Sequence, residues 1–385
     1  MPDLADVVIV GGGIVGTTLA YELSRRNLRV ALLETHGLAS GTSGSGFAWV
    51  NATSKEDDET YHILNAQGLS SYNVLAREWG EAILGLHAGG SLFWAHGSDL
   101  EGRAKLRQRA SHLQAWNYPV TLLNRGELQA LEPQAHFEED AEGMFAPSDG
   151  WVDTPRFLRF LAERIRDRNG ELRLHCPATG FTRDITGRIS TVETPQGRIG
   201  TRTLVLAAGL ETPALVEKVY HAPIGRQIIP LKGVPGLLVE TPAVSEPSYP
   251  LRILYPPDSG GLHLRPTPGG GLLLGADDMD AQIDPRGDFP LDAVRKLLQR
   301  AALSFPNLPL DSFPKRSNPR VCVRPVPADE RPIVGPLPEV NGVFVVVTHS
   351  GVTLAPLLAN LRAEEIFTGR VSPLLSSYRP DRFAS

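Results

Sequence analysis

The sequence predicts an α/β fold with an α+β lobe: a parallel sheet built from separated segments, with an antiparallel sheet inserted between them. Two stretches support this prediction. Residues 7–34 read as strand, glycine-rich turn, helix and strand, which is the order of a βαβ unit. Residues 223–276 read as short strands separated by Pro and Gly turns, which is typical of an antiparallel sheet.

The N-terminal unit has the pattern of a Rossmann-type dinucleotide site. The β-branched run Val7–Val10 predicts a buried parallel strand, and G-x-G-x-x-G follows it directly. Gly11 permits a tight turn, Gly13 lets backbone approach a pyrophosphate, and Gly16 lets helix and strand pack closely. The next helix, predicted over 14–26, would direct its N-terminal N–H groups at the phosphates.

An acidic residue completes this unit. A second strand is predicted over 29–33, and Glu34 follows it, eighteen residues after Gly16. A carboxylate there can accept hydrogen bonds from a ribose and would repel a 2′-phosphate, which argues against NADP. A glycine motif alone could be a chance turn, but here strand, glycines, helix, strand and acid occur in order.

Composition excludes several classes of protein. The 385-residue chain is 42% hydrophobic and 21% charged, and its net charge of −5 gives no indication of a nucleic-acid partner. We expect no transmembrane span, because no run of eighteen apolar residues occurs, and no signal peptide, because the first strand begins within a few residues. Cys176 and Cys322 are too few for a disulfide framework, which predicts a cytoplasmic location.

Periodicity places the remaining elements. Helices are predicted over residues 60–79, 101–116, 154–168, 291–304 and 350–367. The Arg-rich helix 101–116 is interpreted as a solvated face, and helix 154–168 has Thr154 as its expected N-cap and Pro155 in its first turn. Further strands are predicted over 172–175, 181–183, 189–194, 203–208, 232–240, 252–255, 262–265, 272–275 and 343–347.

The order of these elements predicts two intimately connected domains. The parallel pieces occur near the N-terminus, in the middle and near the C-terminus. We therefore expect a discontinuous dinucleotide-binding domain made of residues 1–87, 145–225 and 318–385. Residues 88–144 and 226–317 would form a substrate-binding domain whose antiparallel sheet covers the cofactor.

Motifs along nearly the whole chain resemble those of the D-amino acid oxidase family of flavoproteins. The likeness is greatest to its glycine oxidase and sarcosine oxidase members. Each motif is modest alone, and their common order makes the resemblance strong. Besides Gly11–Gly16 with Glu34, the motifs are Gly41–Gly46, Asp149–Asp153, His175–Asp184, Leu204–Gly209, Pro230–Gly233, Arg324-Pro325 with Asp329–Gly335, and His349–Pro356.

The resemblance implies FAD rather than NAD as the cofactor. A helix starting at Ser350 after a buried strand would direct its free N–H groups at the flavin C2 carbonyl and N1, where reduced flavin is negative. Just before Gly351 the chain is one residue shorter than the glycine oxidase pattern. The implied FAD contacts are Gly11, Gly13, Ile14, Val15, Gly16, Glu34, Thr35, Thr42, Ser43, Ala178, Ala208, Gly209, Ser350, Gly351, Val352, Thr353 and Leu354.

Arg324 is the principal candidate for substrate binding. It stands in the apolar run Val321–Pro325, where an unpaired buried cation would be costly and an anionic partner is therefore expected. The resemblance implies that this partner is the substrate carboxylate, bound as a bidentate pair. A structural ion pair with an internal Asp or Glu is the alternative.

Three further side chains are candidates for lining the substrate pocket. His263 stands where the glycine oxidase pattern has a tyrosine that faces the substrate, and strand geometry turns it away from the face of its neighbours. Tyr255 lies on the neighbouring predicted strand, and His349 precedes Gly351. A satisfied core or surface histidine is the alternative for both histidines, and the change from tyrosine to histidine leaves the substrate open.

Cys322 has two interpretations. In monomeric sarcosine oxidase a cysteine of this motif, seven residues before an aspartate, bonds covalently to the flavin, and here Asp329 is seven residues after Cys322. Glycine oxidase has glycine at this place and binds FAD noncovalently. A buried cysteine on a strand is usually a small hydrophobe, and a thiol needs activation to react, so we expect noncovalent FAD.

The expected reaction is FAD-dependent oxidation of the C–N bond of a small amino acid or secondary amine bearing a carboxylate. Hydride would pass to flavin N5, the imine would hydrolyse, and oxygen or another acceptor would reoxidise the flavin. No metal site is expected. The alternatives are a 2-hydroxy acid dehydrogenase of the same fold and a non-catalytic flavoprotein subunit. An NAD(P)H-dependent aromatic hydroxylase is disfavoured because the C-terminal third lacks a Gly-Asp-Ala motif.

Overall fold

A mostly parallel sheet lies at the centre of the computed structural model, which describes residues 3–244, 252–284 and 287–383. Val7 pairs with Val30 and Val8 with Leu204, and neighbouring strands are parallel except for the last pair. The predicted βαβ unit is confirmed, with helix Ile14–Ser24 between its strands. The strand order is Glu171–Arg173, Val30–Leu33, Val7–Val10, Leu204–Leu206, Val343–Val347 and Ile333–Pro336.

Both faces of this sheet are buried, as its continuous apolar strands require. Val7 and Ile9 pack against helices, whereas Val8 and Val10 pack on the opposite face. The helical layer contains Ile14–Ser24, Glu59–Trp79, Thr154–Arg166 and Gly351–Thr368. The opposite layer contains helix Thr212–Tyr220 and a small sheet with strands Asp3–Leu4, Gly197–Gly200, Ile189–Thr194 and Gly180–Arg183.

The predicted antiparallel sheet is present and larger than expected. One strand pair, Ile253–Tyr255 with Ser91–Ala95, is parallel. Leu237, Leu254 and Leu264 lie on the face that packs against helix Ala293–Ser304. The opposite face turns towards the parallel sheet. The strand order is Asn318–Pro327, Leu231–Glu240, Leu272–Ala276, Leu262–Pro266, Ile253–Tyr255, Ser91–Ala95, Glu142–Ala146 and Thr121–Asn124.

The domain boundaries stay predictions, and strand pairing crosses two of them. Strand Asn318–Pro327, expected in the dinucleotide-binding domain, pairs along its whole length with Leu231–Glu240 and so lies in the antiparallel sheet. Strand Glu142–Ala146 also belongs to that sheet, and the expected boundary at 144/145 would divide it. Residues 245–251 and 285–286, inside the expected substrate domain, lie outside the described residues.

Two local predictions were wrong. Asp153, and not Thr154, caps the helix Thr154–Arg166, since its carboxylate accepts the Arg156 N–H at 3.2 Å. The Thr154 hydroxyl instead donates to the Ser43 carbonyl. The strand predicted over 172–175 ends at Arg173, because His175 adopts a left-handed backbone with φ of +52°.

The remaining elements are short or peripheral. A small sheet joins Trp49–Val50, Gly150–Val152 and Leu86–His87. In the part of the chain that the structure describes, no helix is both long enough and apolar enough to cross a membrane. The other helices, including 3₁₀ turns, are Thr42–Ser45, Thr53–Lys55, Glu81–Leu84, Leu100–Ala115, Arg125–Leu131, Gly209–Glu211, Gly225–Ile228, Asp277–Asp280, Leu310–Ser312, Pro373–Tyr378 and Pro380–Phe383.

Candidate cofactor and substrate site

The three motif glycines have different surroundings. Gly11 adopts φ of +118°, and a Cβ there would lie 2.4 Å from the Ala207 carbonyl oxygen. A Cβ on Gly16 would lie 2.1 Å from the Gly11 carbonyl oxygen, so glycine permits the close packing of helix and turn. A Cβ on Gly13 would meet only Ser43 Oγ, at 3.2 Å. Gly13 therefore borders open space, as a bound pyrophosphate requires.

The loop after Gly41 connects this turn to the antiparallel sheet. Ser43 Oγ accepts the backbone N–H of Ile14 at 2.9 Å, at the N-terminus of the first helix. The neighbouring Thr42 hydroxyl donates to the Val323 carbonyl at 2.6 Å. The two predicted residues therefore lie where the helix N-terminus faces the other domain, which is the expected place for phosphates and flavin.

Backbone donors orient Glu34 at the end of its strand. Its two carboxylate oxygens accept the N–H of Gly12 at 2.6 Å and of His36 at 2.8 Å. A Cβ on Gly12 would lie 2.8 Å from Glu34 Cγ, so the middle glycine of the run is also required sterically. Our sequence analysis gave Gly12 no role. The carboxylate is partly exposed and has further lone pairs for ribose hydroxyls.

The other residues expected near adenine and ribose cluster at the same edge of the sheet. Ala178 is buried in a loop held beside Glu34, because Cys176 N–H donates to the Glu34 carbonyl at 2.8 Å. Thr35 is exposed at the rim. Ala208 and Gly209 follow the central strand Leu204–Leu206 directly. Parallel strands thus bring these segments to one carboxyl edge, where ligands of such sheets bind.

The N-terminus of helix Gly351–Thr368 lies against the first helix, since a Cβ on Gly351 would be 3.6 Å from Val15 Cγ2. Pro356 has no N–H for the Val352 carbonyl. The Tyr72 hydroxyl donates to that carbonyl instead, at 2.8 Å. Tyr61 donates to Ser350 Oγ at 2.7 Å, so two tyrosines fix the start of this helix.

The N–H groups at the start of this helix differ in whether they already have an acceptor. The N–H groups of Gly351, Val352 and Thr353 belong to the first turn, where helices have no internal acceptor. The Thr353 side chain accepts the Asn51 N–H at 3.2 Å. The Leu354 N–H donates to the Ser350 carbonyl at 2.9 Å and its side chain is fully buried. The FAD contacts of both residues stay predictions.

Aromatic side chains from both domains surround His263 and Tyr255. The rings of Tyr255 and His263 stack with centroids 5.6 Å apart. Phe47 meets His263 edge-on at 4.7 Å, and Trp49 lies 5.1 Å from Tyr255. Phe47 and Trp49 had no role in our sequence analysis, although two aromatic residues directly after the Gly41–Gly46 motif are a usable signal. Burial lowers the pKa of His263, so its imidazole is neutral at pH 7.

Arg324 has an acidic partner that our sequence analysis did not identify. Its Nη2 lies 2.6 Å from Asp280 Oδ2, so the internal ion pair that we considered as the alternative is present. Arg324 is still one-third exposed, at 32% of its side chain. The carboxylate contact therefore stays a prediction. Three Asp among the four residues Asp277–Asp280, directly after an apolar strand, are the signal that could have indicated this partner.

His349 lies in the same region. Loss of hydration, followed by the positive charges of Lys55 and Arg324, lowers the pKa of His349 to about 4. The charge of Arg324 also contributes to the lowered pKa of His263. The structure therefore brings His263 and His349 each within electrostatic range of Arg324, and His263 lies next to Tyr255.

A surface cleft borders Tyr255. It has a volume of about 540 Å³, and its lining includes Phe93, Tyr255, Arg109 and Glu56. Phe93 stacks on Tyr255 at 4.6 Å, and the Arg109 guanidinium lies 4.4 Å from the Phe93 ring centroid. The cleft is large enough for a small organic substrate to reach Tyr255.

Cys322 lies on the sheet face towards the Gly41–Gly46 loop. Its Sγ is 3.8 Å from the Thr42 carbonyl oxygen. Burial raises the pKa of this thiol, which keeps it protonated at neutral pH. A protonated thiol is a poor nucleophile, so these surroundings favour noncovalent FAD over a covalent link.

The residues present fit an FAD molecule. Open space borders Gly13, two helix N-termini lie side by side, and an oriented carboxylate stands at Glu34. The open space suits a pyrophosphate, the helix N-termini suit the phosphates and the N1 and C2 carbonyl end of the flavin, and the carboxylate suits a ribose. The domain interface would then place the flavin ring next to Tyr255 and His263.

Comparisons with known proteins agree with a site for FAD. Glycine oxidase of Geobacillus kaustophilus is 27% identical over 365 residues, covering 93% of this chain and 92% of that protein. Its crystal structure has a TM-score of 0.80 at 25% identity and covers 99% of both chains. L-proline dehydrogenase from P. horikoshii has a TM-score of 0.82 at 21% identity, with 100% and 99% coverage, a likeness of fold alone. The family model for FAD dependent oxidoreductases (DAO) matches residues 6–365, and the chain belongs to this family of FAD-dependent enzymes.

Proposed function

We propose that this enzyme oxidises the C–N bond of a small amino acid or secondary amine that bears a carboxylate. The observation behind this proposal is the placement of a partly exposed Arg324 within electrostatic range of His263 and His349. The likeness to glycine oxidase supports amine substrates. When bound, FAD supplies the hydride acceptor for the C–H bond adjacent to the amine.

The chain's own residues would orient the substrate. The guanidinium of Arg324 binds the carboxylate and directs the Cα–H towards the interface. Tyr255, Phe47 and Trp49 enclose that position and exclude water. The N–H groups at Gly351 and Val352 lie where negative charge develops. Because His263 and His349 are neutral at pH 7, neither imidazole would repel a protonated amine or act as a strong acid.

The other reaction partners follow from the same chemistry. We infer that oxygen or an electron-transfer acceptor takes the electrons and that water hydrolyses the imine product. FAD is held noncovalently, because the buried Cys322 thiol is not activated. Cys176 and Cys322 are both free and buried, which fits a reducing compartment such as the cytoplasm.

Anaerobic bleaching of the flavin absorbance tests this function. The protein is mixed with a panel of D-amino acids, glycine and N-methylated amines, with the D and L forms of 2-hydroxyglutarate as controls. We expect amines with a carboxylate to bleach the flavin and hydroxy acids to leave it oxidised. Bleaching by a hydroxy acid alone would indicate a 2-hydroxy acid dehydrogenase, and no bleaching by any compound would indicate a non-catalytic flavoprotein.

A further inference from the structure

The hydrogen bonds of Arg324 leave only one nitrogen free. Nη2 contacts Asp280 Oδ2 at 2.6 Å and the Pro235 carbonyl at 3.3 Å, and Nε donates to the Val234 carbonyl at 3.4 Å. Nη1 has no partner among the described residues. A bidentate carboxylate needs two neighbouring nitrogens of the guanidinium, and each such pair includes Nη2 or Nε. Asp280 therefore occupies the edge that a substrate carboxylate would use.

Asp280 keeps this position without help from a substrate. Its Oδ1 accepts the Leu237 N–H at 3.0 Å, and only 14% of its side chain is exposed. The facing strand makes room for the pair at Gly236. A Cβ on Gly236 would lie 2.9 Å from Asp280 Oδ2 and 3.3 Å from Arg324 Nη2. The backbone thus accommodates an ion pair that any side chain at Gly236 would disturb.

We propose that Asp280 determines substrate specificity by competing with the substrate carboxylate for Arg324, an inference that rests on the proposed function. In the native enzyme a substrate carboxylate contacts Arg324 end-on through Nη1, beside a second negative charge. The attraction for a carboxylate is therefore small. The substrate class accordingly includes amines in which a neutral amide stands in place of the carboxylate, and the enzyme discriminates little between the two.

The variant Asp280→Asn removes this competition. Asparagine keeps the size of the side chain and an oxygen that accepts the Leu237 N–H, and it lacks the negative charge. The guanidinium then carries an uncompensated charge, and a substrate carboxylate no longer meets repulsion. Asp278→Asn is a matched control, because Asp278 lies on the same short helix and pairs with Arg300 at 2.8 Å and not with Arg324.

Kinetics with the best carboxylate substrate and with its primary amide test the proposal. In Asp280→Asn we expect the ratio of kcat/KM, acid over amide, to rise about tenfold or more, through a lower KM for the acid. Asp278→Asn should leave the ratio unchanged. An unchanged ratio in Asp280→Asn overturns the proposal, and a decreased ratio would show that Asp280 positions Arg324. Should Asp280→Asn not retain FAD, Asp280→Ser provides the same test.

A binding measurement separates this proposal from the proposed function. Acetate is titrated into the oxidised holoenzyme, with acetamide as the neutral control, and binding is followed by the change in flavin absorbance. Asp280→Asn should bind acetate about tenfold more tightly than the native enzyme, with acetamide unchanged. If amines bleach the flavin but acetate binding is not tightened, only the role of Asp280 fails. If no amine bleaches it, the proposed function fails.

Discussion

Two glycine variants should distinguish a residue that binds the cofactor from one that packs the fold. Gly16→Ala places a Cβ 2.1 Å from the Gly11 carbonyl oxygen, against about 3.4 Å for an ordinary contact, so helix and turn must move apart. Such overpacking costs about 1–3 kcal/mol. The higher helix propensity of alanine relative to glycine offsets up to about 1 kcal/mol of this cost. Unfolding of 385 residues has an entropy of roughly 0.8 kcal/mol/K, so a net loss of about 1–2 kcal/mol should lower the Tm of the apoprotein by about 1–2.5 °C.

Gly13→Val should behave in the opposite way. Gly13 is the N-cap and has an extended backbone, with φ of −74°, which any residue adopts, and its Cβ would meet only the rotatable Ser43 hydroxyl at 3.2 Å. The loss of N-cap preference costs at most about 1 kcal/mol. The added side chain fills the open space that we assign to the pyrophosphate. FAD affinity should therefore fall at least about 100-fold, or about 2.7 kcal/mol.

Circular dichroism melting of the apoproteins and fluorescence titration with FAD measure the two effects. We expect each variant to change a different measurement. The Gly16→Ala apoprotein should be less stable than the native apoprotein, whereas Gly13→Val should be nearly as stable but colourless after purification. FAD binding by Gly13→Val within about threefold of the native value would refute the assignment of this space to the cofactor.

Three further predictions have defined outcomes. Arg324→Ala should lower kcat/KM for a carboxylate substrate by about 30-fold or more (about 2 kcal/mol), chiefly because it leaves the Asp280 charge unpaired beside the substrate. Arg324→Lys should restore little of this loss, since an ammonium lacks the planar fork that holds Asp280 through one nitrogen and the substrate through another. Equal rates of flavin reduction by the Ala variant and the native enzyme in stopped flow would contradict this. Acid precipitation should leave the yellow colour in the supernatant, and colour in the pellet that Cys322→Ser releases would prove a covalent flavin. Burial raises the pKa of Asp149 to about 6 from 3.8, so its stabilising contribution is present below pH 4 and is lost as pH rises through 6. In urea denaturation, the native protein should therefore lose up to about 3 kcal/mol relative to Asp149→Asn between pH 4 and pH 7, and a pH-independent difference would disprove the assignment.

The sequence predicted those parts of the site whose signal is local. Gly11 and Gly16 are required by close backbone packing and Gly13 by the open space left for a phosphate, so their spacing alone indicated the nucleotide site. The N-cap of the helix 154–166 could not be chosen in this way, since Asp153 and Thr154 are both capping residues. The tertiary contact between the Thr154 hydroxyl and the Ser43 carbonyl decides between them.

The parts that could not be predicted depend on contacts across sheets. Asp280 reaches Arg324 over 44 positions of sequence, and their meeting requires the pairing of Leu231–Glu240 with Asn318–Pro327. A single sequence gives no record of this pairing. The strands Ser91–Ala95 and Thr121–Asn124 were missed for a similar reason, because helix Arg125–Leu131 separates them in sequence from their sheet partner Glu142–Ala146.

The order of strands in the parallel sheet has a consequence for synthesis of the chain. Val7–Val10 pairs on one side with Leu204–Leu206, which in turn pairs with Val343–Val347. A ribosome that adds about 5–20 residues per second needs roughly 10–40 s to make the intervening chain between the first two strands. Throughout that interval one edge of Val7–Val10 has no partner, and such an edge can pair with another nascent chain. We therefore expect yield during expression to depend on temperature and chaperone supply more than the stability of the finished enzyme suggests.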